Sequence, residues 1–350
     1  MTDIRIRRHR RNKSGFTLIE LMIAMALGLF LVAGVTTLVV AMSRDHRAIQ
    51  SKSELFDNGR YTSSVLADEI RHAGFYGRFD EPTAPSSLPD PCETSASAIS
   101  DHLGLAIQGY DDVTGTPTPG CLSDANHVDG TDILVVRRAS RYSTAVGDLT
   151  AGRIYIQGGT SDYVVASADG SESSDKSTFD LTDRDGNREA IRPLRVRIYF
   201  VSPCLKPGGG SGDCSDSSDD GDPVPTLKRL DLSVTSSGTA TFERTPVASG
   251  IQQLQLEYGI DGNDDGQPDN TNTSSIYLAD PGSLSNWMDV VTARAHVLGR
   301  TIDTVTGHTD ERSYMLGKHG LVGAFNDAYK RHLFIRTARL VNRSGRREVQ

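Results

Sequence analysis

The chain has 350 residues, of which 45 are acidic and 37 are Lys or Arg, and its formal net charge at pH 7 is −8. This length is enough for a membrane helix followed by one large or two small globular parts. An acidic chain of this kind is a poor partner for nucleic acid, because phosphate recognition depends on clustered Lys and Arg. An acidic surface suits an exported protein or a calcium binder, although simple solvation is its commoner role.

Residues 1–15 carry six Lys or Arg side chains and one acidic side chain, and this excess predicts a cytoplasmic N-terminus. The next segment, 16–42, contains a single ionisable residue, Glu20. As a helix it would be roughly 40 Å long, more than the ~30 Å hydrocarbon core. A secretory signal has its small-residue cleavage site after the apolar region, whereas here Gly15 precedes that region. Cleavage after Gly15 would therefore remove the charges and keep the transmembrane helix.

Glu20 is a candidate functional residue because a carboxylate in a membrane segment is costly unless it is paired. After cleavage at Gly15 it would become the fifth residue of the mature chain, about one helical turn from the new α-amine of Phe16. The amine of a neighbouring subunit could then serve as its counter-ion. The alternative is an incidental polar residue near the end of a signal anchor.

The helix is predicted to continue past the membrane as an amphipathic segment, 43–73. This segment has no proline and one glycine, Gly59, and its apolar residues recur at helical spacing. Gly74 is expected to cap the C-terminus of the helix. The apolar face of the segment is expected to pack on a globular domain.

Residues 74–128 are rich in Pro, Ser, Asp and Gly and are predicted to form a loop-rich insertion. The four cysteines all follow the membrane segment, so we expect them to reach an oxidising compartment and form disulfides. Three pairings are possible, and proximity in the sequence favours Cys92–Cys121 and Cys204–Cys214. A four-cysteine zinc site is the alternative, but the sequence has no C-x-x-C spacing.

Residues 129–350 are predicted to form a β-sheet domain. Segments in which apolar and polar residues alternate are separated by turn-rich stretches, as is typical of antiparallel strands. These segments are 130–138, 153–157, 163–168, 193–201, 226–234, 251–260, 289–298 and 332–341. The expected fold class is α+β, with one long helix packed on an antiparallel sheet with loop insertions. We interpret Arg343, Arg346 and Arg347 as a solvated tail rather than a binding patch.

A possible calcium loop begins directly after the strand predicted at 251–260. Oxygen-bearing side chains at positions 1, 3, 5 and 9 and a glycine at position 6 match the first part of an EF-hand-like loop. The predicted ligands are Asp261, Asn263, Asp265, Asp269 and the carbonyl of Gln267. At position 12 Asn272 replaces the usual bidentate Glu, so Asp280 or water would have to complete the shell. The alternative is an acidic hairpin turn, since Asp, Asn and Gly favour turns.

The junction KSGFTLIEL (13–21) resembles the class III signal of type IV pilins and pseudopilins. The resemblance implies that a membrane-embedded prepilin peptidase cuts after Gly15 and methylates Phe16. It also implies that Glu20 guides subunits into a filament.

Five further segments, in their order and spacing, together resemble the PilW-type minor pilins: 65–77, 130–138, 251–261, 287–300 and 329–343. This resemblance implies a type IV pilin-like fold and a role in starting pilus assembly. The implied partners are other minor pilins, the major pilin and a PilY-type tip adhesin. The cysteine-bearing insertion has no counterpart in the resemblance.

Motifs of known catalytic sites are missing from the sequence. Its nine histidines are scattered without H-E-x-x-H spacing, no G-x-S-x-G elbow is present, and the Gly-rich stretch 208–213 lacks the Lys-Ser/Thr of a phosphate loop. We therefore expect a structural protein rather than an enzyme. The alternatives are a type II secretion pseudopilin, an adhesin that binds surface ligands directly and a membrane-anchored hydrolase.

Overall fold

The computed structural model describes residues 15, 17–79, 82–117, 119–210, 212–269 and 276–348. The chain divides into two compact units, Met1–Gln50 and Ser51–Gln350. The described part of the first unit is mostly helix, and the second unit is an α+β domain, which confirms the predicted fold class.

The described residues form five α-helices and thirteen β-strands. The helices are α1 (Leu18–His72), α2 (Ala96–Asp101), α3 (Glu172–Thr178), α4 (Leu284–Met288) and α5 (Val341–Arg347). The strands are β1 (Ile107–Val113), β2 (Thr131–Ala139), β3 (Ile154–Gly158), β4 (Tyr163–Ser167), β5 (Ile191–Ser202), β6 (Thr226–Val234), β7 (Ala240–Ser249), β8 (Ile251–Ile260), β9 (Tyr277–Leu278), β10 (Val290–Arg300), β11 (Tyr314–Met315), β12 (Leu321–Val322) and β13 (Arg331–Arg339).

The strands form three antiparallel sheets rather than the single sheet that the sequence suggested. The largest has the order β1-β2-β5-β3-β4, with β6 added beside β5 and β7 beside β6. A second sheet has the order β13-β10-β8-β9, and β11 pairs with β12. All eight predicted strands are present, with ends shifted by at most two residues.

The main core lies between the second half of α1 and the two larger sheets. Leu66, Ile70 and Ala73 are fully buried against apolar residues of β2, β5, β8 and β10. Close approach of α1 to β13 depends on Gly59, because a Cβ at this position would overlap the ring of Phe334. Burial of this face holds the helix on the sheets through the hydrophobic effect.

The outer face of the largest sheet is covered by the insertion that follows α1. Ile133, Val135 and Ile198 point into a second core, which also contains Ile99 of α2 and Leu103. The strand β2 is therefore buried along its whole length. Within the predicted loop-rich insertion 74–128, the structure also places α2 and the edge strand β1. Burial against the sheet orders a polar sequence that has little regular structure of its own.

Candidate functional site

The first turn of α1 holds the predicted assembly residue in a reciprocal cap. The Thr17 N–H and hydroxyl each donate to Glu20 Oε2 at 2.9 Å, and the Glu20 N–H donates to Thr17 Oγ1 at 3.3 Å. This is a capping box, which satisfies two of the free N–H groups at a helix start. The T-x-x-E spacing of Thr17 and Glu20 is a sequence signal for this cap. Gly15 is exposed, and Phe16 lies outside the described residues.

The segment after this cap presents apolar side chains to the surroundings on all sides. Leu18, Phe30 and Leu31 are 78%, 79% and 71% exposed. The other large apolar residues up to Met42 are also exposed. By length and composition this part of α1 can cross a membrane. Such a surface requires lipid or other apolar helices around it.

The second half of α1 is tied to the largest sheet by a buried ionic network. Glu69, which is 4% exposed, accepts hydrogen bonds from Arg138 Nε at 3.0 Å and Nη2 at 2.8 Å, and it also pairs with Arg197. Arg197 reaches Asp231 at 2.7 Å, and Arg229 reaches the other oxygen of Asp231 at 2.5 Å. Burial opposes ionisation of Glu69, but the Arg138 hydrogen bond and the charges of Arg197 and Arg138 outweigh it and lower the pKa.

The predicted calcium loop folds around Asp261, whose side chain is fully buried. Asp261 Oδ1 and Asn263 Oδ1 both accept the Asp265 N–H, at 3.2 and 3.0 Å. Asp261 Oδ2 accepts the Gly266 N–H at 2.9 Å, and Gly266 has the positive φ of 81° that the sixth position requires. Asp269 Oδ2 accepts the N–H groups of residues 262 and 263. The structure thus brings the predicted ligands into one loop, while Asn272 lies outside the described residues.

A cation of the protein itself already contacts this loop. Arg347 Nη1 lies 3.2 Å from Asp261 Oδ2 and 3.1 Å from Asp264 Oδ1, and its Nη2 lies 2.5 Å from Asp289 Oδ1. Burial raises the pKa of Asp261, but the Gly266 N–H and Arg347 lower it overall. The interpretation of the C-terminal arginines as a solvated tail was therefore wrong. Arg343 donates to the Met288 carbonyl in the same region.

Both disulfides are the pairs that proximity in the sequence favours. Cys92 is bonded to Cys121 and Cys204 to Cys214, and the described residues contain no free cysteine. The first bond closes the insertion beneath the outer face of the largest sheet. The second closes the Gly-rich loop between β5 and β6. Each therefore restrains a loop with little apolar content.

Two family models match the chain. One, described as the prokaryotic N-terminal methylation motif, matches residues 10–36. The other, described as Type IV Pilus-assembly protein W, matches residues 214–342. These matches support a PilW-type pilin of the type IV pilus with a prepilin signal. No curated protein and no solved structure matches it.

The two matched segments lie in different units of the structure: the methylation motif in the first and the PilW match in the second. The methylation motif contains the Thr17–Glu20 cap and the start of the exposed apolar helix, as in a membrane-anchored pilin with a prepilin signal. The PilW match begins before β6 and contains the whole second sheet and the Asp261 loop. The two matches indicate a type IV pilus protein that interacts with other pilus components.

Proposed function

We propose that this pilin is a minor subunit that helps to initiate type IV pilus assembly and forms part of the tip complex. The observation that carries the proposal is the size of the second unit. It contains three sheets and a disulfide-closed insertion behind a single pilin helix. Such bulk would hinder repeated packing along a shaft, whereas a tip position accommodates it.

Before assembly, the chain is held in the bacterial inner membrane by the apolar part of α1, with its basic N-terminus in the cytoplasm. Prepilin peptidase cuts after Gly15 and methylates Phe16, and the second unit folds in the periplasm, where disulfides form. The proposed partners are other minor pilins, the major pilin and a PilY-type tip adhesin. The sheet domain provides these contacts, and no catalytic role is assigned to it.

Deletion of the gene tests the priming role. We expect loss of surface pili, measured as major pilin in the sheared fraction, because assembly lacks its starting complex. Blocking pilus retraction in the deletion strain should restore pili, because pili that assemble slowly without priming can then accumulate. Complementation with the wild-type gene is the control. Normal piliation together with lost protein secretion would contradict the proposal and favour a type II secretion pseudopilin.

We also propose that the Asp261 loop binds calcium weakly. Asp261 Oδ1 and Asn263 Oδ1 already converge on the Asp265 N–H. The carboxylates of Asp265 and Asp269 and the Gln267 carbonyl can supply the remaining oxygens of the shell. Arg347 competes for Asp261, so the dissociation constant should lie in the ~10⁻⁴–10⁻³ M range of extracellular modules.

Calorimetric titration of the full chain in detergent with calcium checks this loop. Asp265→Ala should abolish the heat that the loop contributes, because it removes a central ligand. Arg347→Gln should strengthen binding by about tenfold, which corresponds to ~1.4 kcal/mol, because it removes the competing cation. Asp185→Ala is the matched control, since Asp185 lies in a similar Asp-Gly turn, where Asp183 accepts the N–H groups of Asp185 and Asn187 and the Asn187 side-chain amide. A titration unchanged by Asp265→Ala would contradict calcium binding at the loop.

A further inference from the structure

A β-bulge at the edge of the largest sheet brings three carboxylates together. In the β1–β2 ladder Tyr110 is opposite Ile133 and Val113 is opposite Thr131, so Asp111 and Asp112 both face Asp132. Asp112 has a positive φ of 46°, a conformation that Asp adopts more readily than most residues. Oxygens of the three side chains lie within 4.8 Å of one another. The bulge therefore places two negative charges opposite a third.

Two of these carboxylates are fixed by neighbouring groups. Asp132 is 1% exposed, and its oxygens accept the Asp112 N–H at 2.9 Å and the Leu256 N–H at 2.6 Å. Asp112 Oδ1 lies 2.5 Å from His319 Nδ1 and 3.3 Å from Gln255 Nε2. Asp111 forms no hydrogen bond or ion pair with the described residues. Each carboxylate keeps lone pairs free, so the cluster has unused acceptors, and His319 beside Asp112 carries a positive charge only when it is protonated.

An independent observation beside the cluster also points to a ligand. The Tyr258 hydroxyl is buried and has no hydrogen-bond partner among the described residues. It lies against the backbone of Gly109, where a Cβ would come within 2.0 Å of the oxygen. Gly109 lines the same cavity as Asp111. Burial and then the charges of Asp132, Asp111 and Asp280 raise the pKa of Tyr258. A buried hydroxyl left without a partner costs free energy that a bound water or ligand would recover.

A cavity of about 830 Å³ gives access to this place. Asp90, Asp111 and Asp280 contribute carboxylates to its wall and Trp287 contributes an indole, and none of the described residues that line it is Lys, Arg or His. The negative wall attracts cations from solution. The cavity also leaves room for the water molecules that complete the shell of a hard cation.

We propose that Asp111, Asp112 and Asp132 bind a hard divalent cation, which in an exported protein is calcium. Carboxylate oxygens are the ligands that calcium prefers, and its irregular, flexible coordination suits side chains contributed by a bulge. A water bound to the ion accepts or donates the hydrogen bond that the Tyr258 hydroxyl lacks. This bulge site is separate from the Asp261 loop, uses none of its ligands, and does not depend on the pilin being at the tip. Its ion would fix the edge strand β1 to β2 and β8.

Titration of the full chain in detergent with calcium chloride tests the bulge site in an Asp265→Ala background, which silences the loop. We expect one remaining site, and adding Asp111→Asn with Asp112→Asn should weaken it by tenfold or more (about the loss typical of a damaged metal shell). Asp280→Asn is the matched control, because it removes one charge from the same cavity outside the cluster. Its binding constant should change by less than about threefold, as for an unbonded charge near solvent.

A second measurement keeps the test independent of folding. Asp111→Asn with Asp112→Asn removes like-charge repulsion, so in EDTA the variant should melt no lower than its parent. Calcium should raise the melting temperature of the parent and leave that of the variant unchanged. Absence of calcium binding in the Asp265→Ala chain, or binding unaffected by the two Asn substitutions, would overturn the bulge site. If calcium binding is unaffected by Asp265→Ala but is lost when Asp111 and Asp112 are replaced by Asn, only calcium binding at the Asp261 loop is refuted.

Discussion

Glu20→Gln should leave membrane insertion and cleavage after Gly15 intact but reduce incorporation into sheared pili by at least about tenfold, as expected when a paired membrane charge is lost. The substitution is chosen because Gln can replace Glu in a capping box. The helix start is therefore preserved, and only the negative charge is removed. A fractionation of membranes and sheared pili by immunoblot measures both quantities in the same cells.

Thr17→Ala is the matched variant for this experiment. It removes the hydroxyl that accepts the Glu20 N–H, at a cost of about 1 kcal/mol for a helix cap, and it keeps the carboxylate. If Glu20 acts through its charge, Thr17→Ala should assemble nearly as well as wild type. If Glu20→Gln assembles normally while Thr17→Ala fails, Glu20 is only a cap and the intersubunit pairing is wrong.

Glu69→Gln should lower the free energy of unfolding of the second unit by about 3–5 kcal/mol, the usual cost of breaking a buried ion pair. Gln would leave the charge of Arg138 without a partner and Arg197 with Asp231 alone. Denaturant unfolding of the full chain in detergent, followed through the signal of Trp287, measures the loss. Asp68→Asn is the control, since this neighbouring residue has an exposed side chain paired only with His72, and the expected change is about 0.5 kcal/mol or less.

The same network predicts the direction of the acid response. Because the folded pKa of Glu69 lies below its ordinary value of 4.5, its stabilising contribution is present above that pH. The contribution is lost as pH falls through the lower, folded value. Wild type should therefore lose stability in this acidic range, and Glu69→Gln should lose less over the same interval. Parallel acid curves for the two proteins would show that Glu69 does not titrate as described.

The main strands could be predicted because each carries its own alternating pattern, as in β5 and β8. The strand β7 was missed because its sequence is polar and contains Pro246, which a strand tolerates when it is at a sheet edge, as β7 is. The strand β1 was missed because Gly109 and two aspartates interrupt it. Tertiary packing, rather than local propensity, decides both strands.

Sites could be predicted from the sequence only where their residues are close along the chain. The signal around Glu20 and the loop that begins at Asp261 are local and readable. The contacts of Glu69 with Arg138 and Arg197, and that of Arg347 with Asp261, join residues far apart and depend on strand order. Likewise, Asp132 meets Asp111 only through the register and the bulge, which no single-chain pattern reveals.

Within the second unit, the bonds that join the C-terminal part of α1 to the strands define how this unit can bear tension along the helix. Asn58 donates to the Ser249 carbonyl at the end of β7, Glu69 binds β2 and β5, and Asn342 of α5 donates to the Ala73 carbonyl. These anchors come from four distant parts of the sequence. A pulling force on the helix is therefore divided among strands that must be sheared together, rather than peeled away one at a time. If the pilin lies at the pilus tip, as proposed, retraction of the fibre would load this set of anchors.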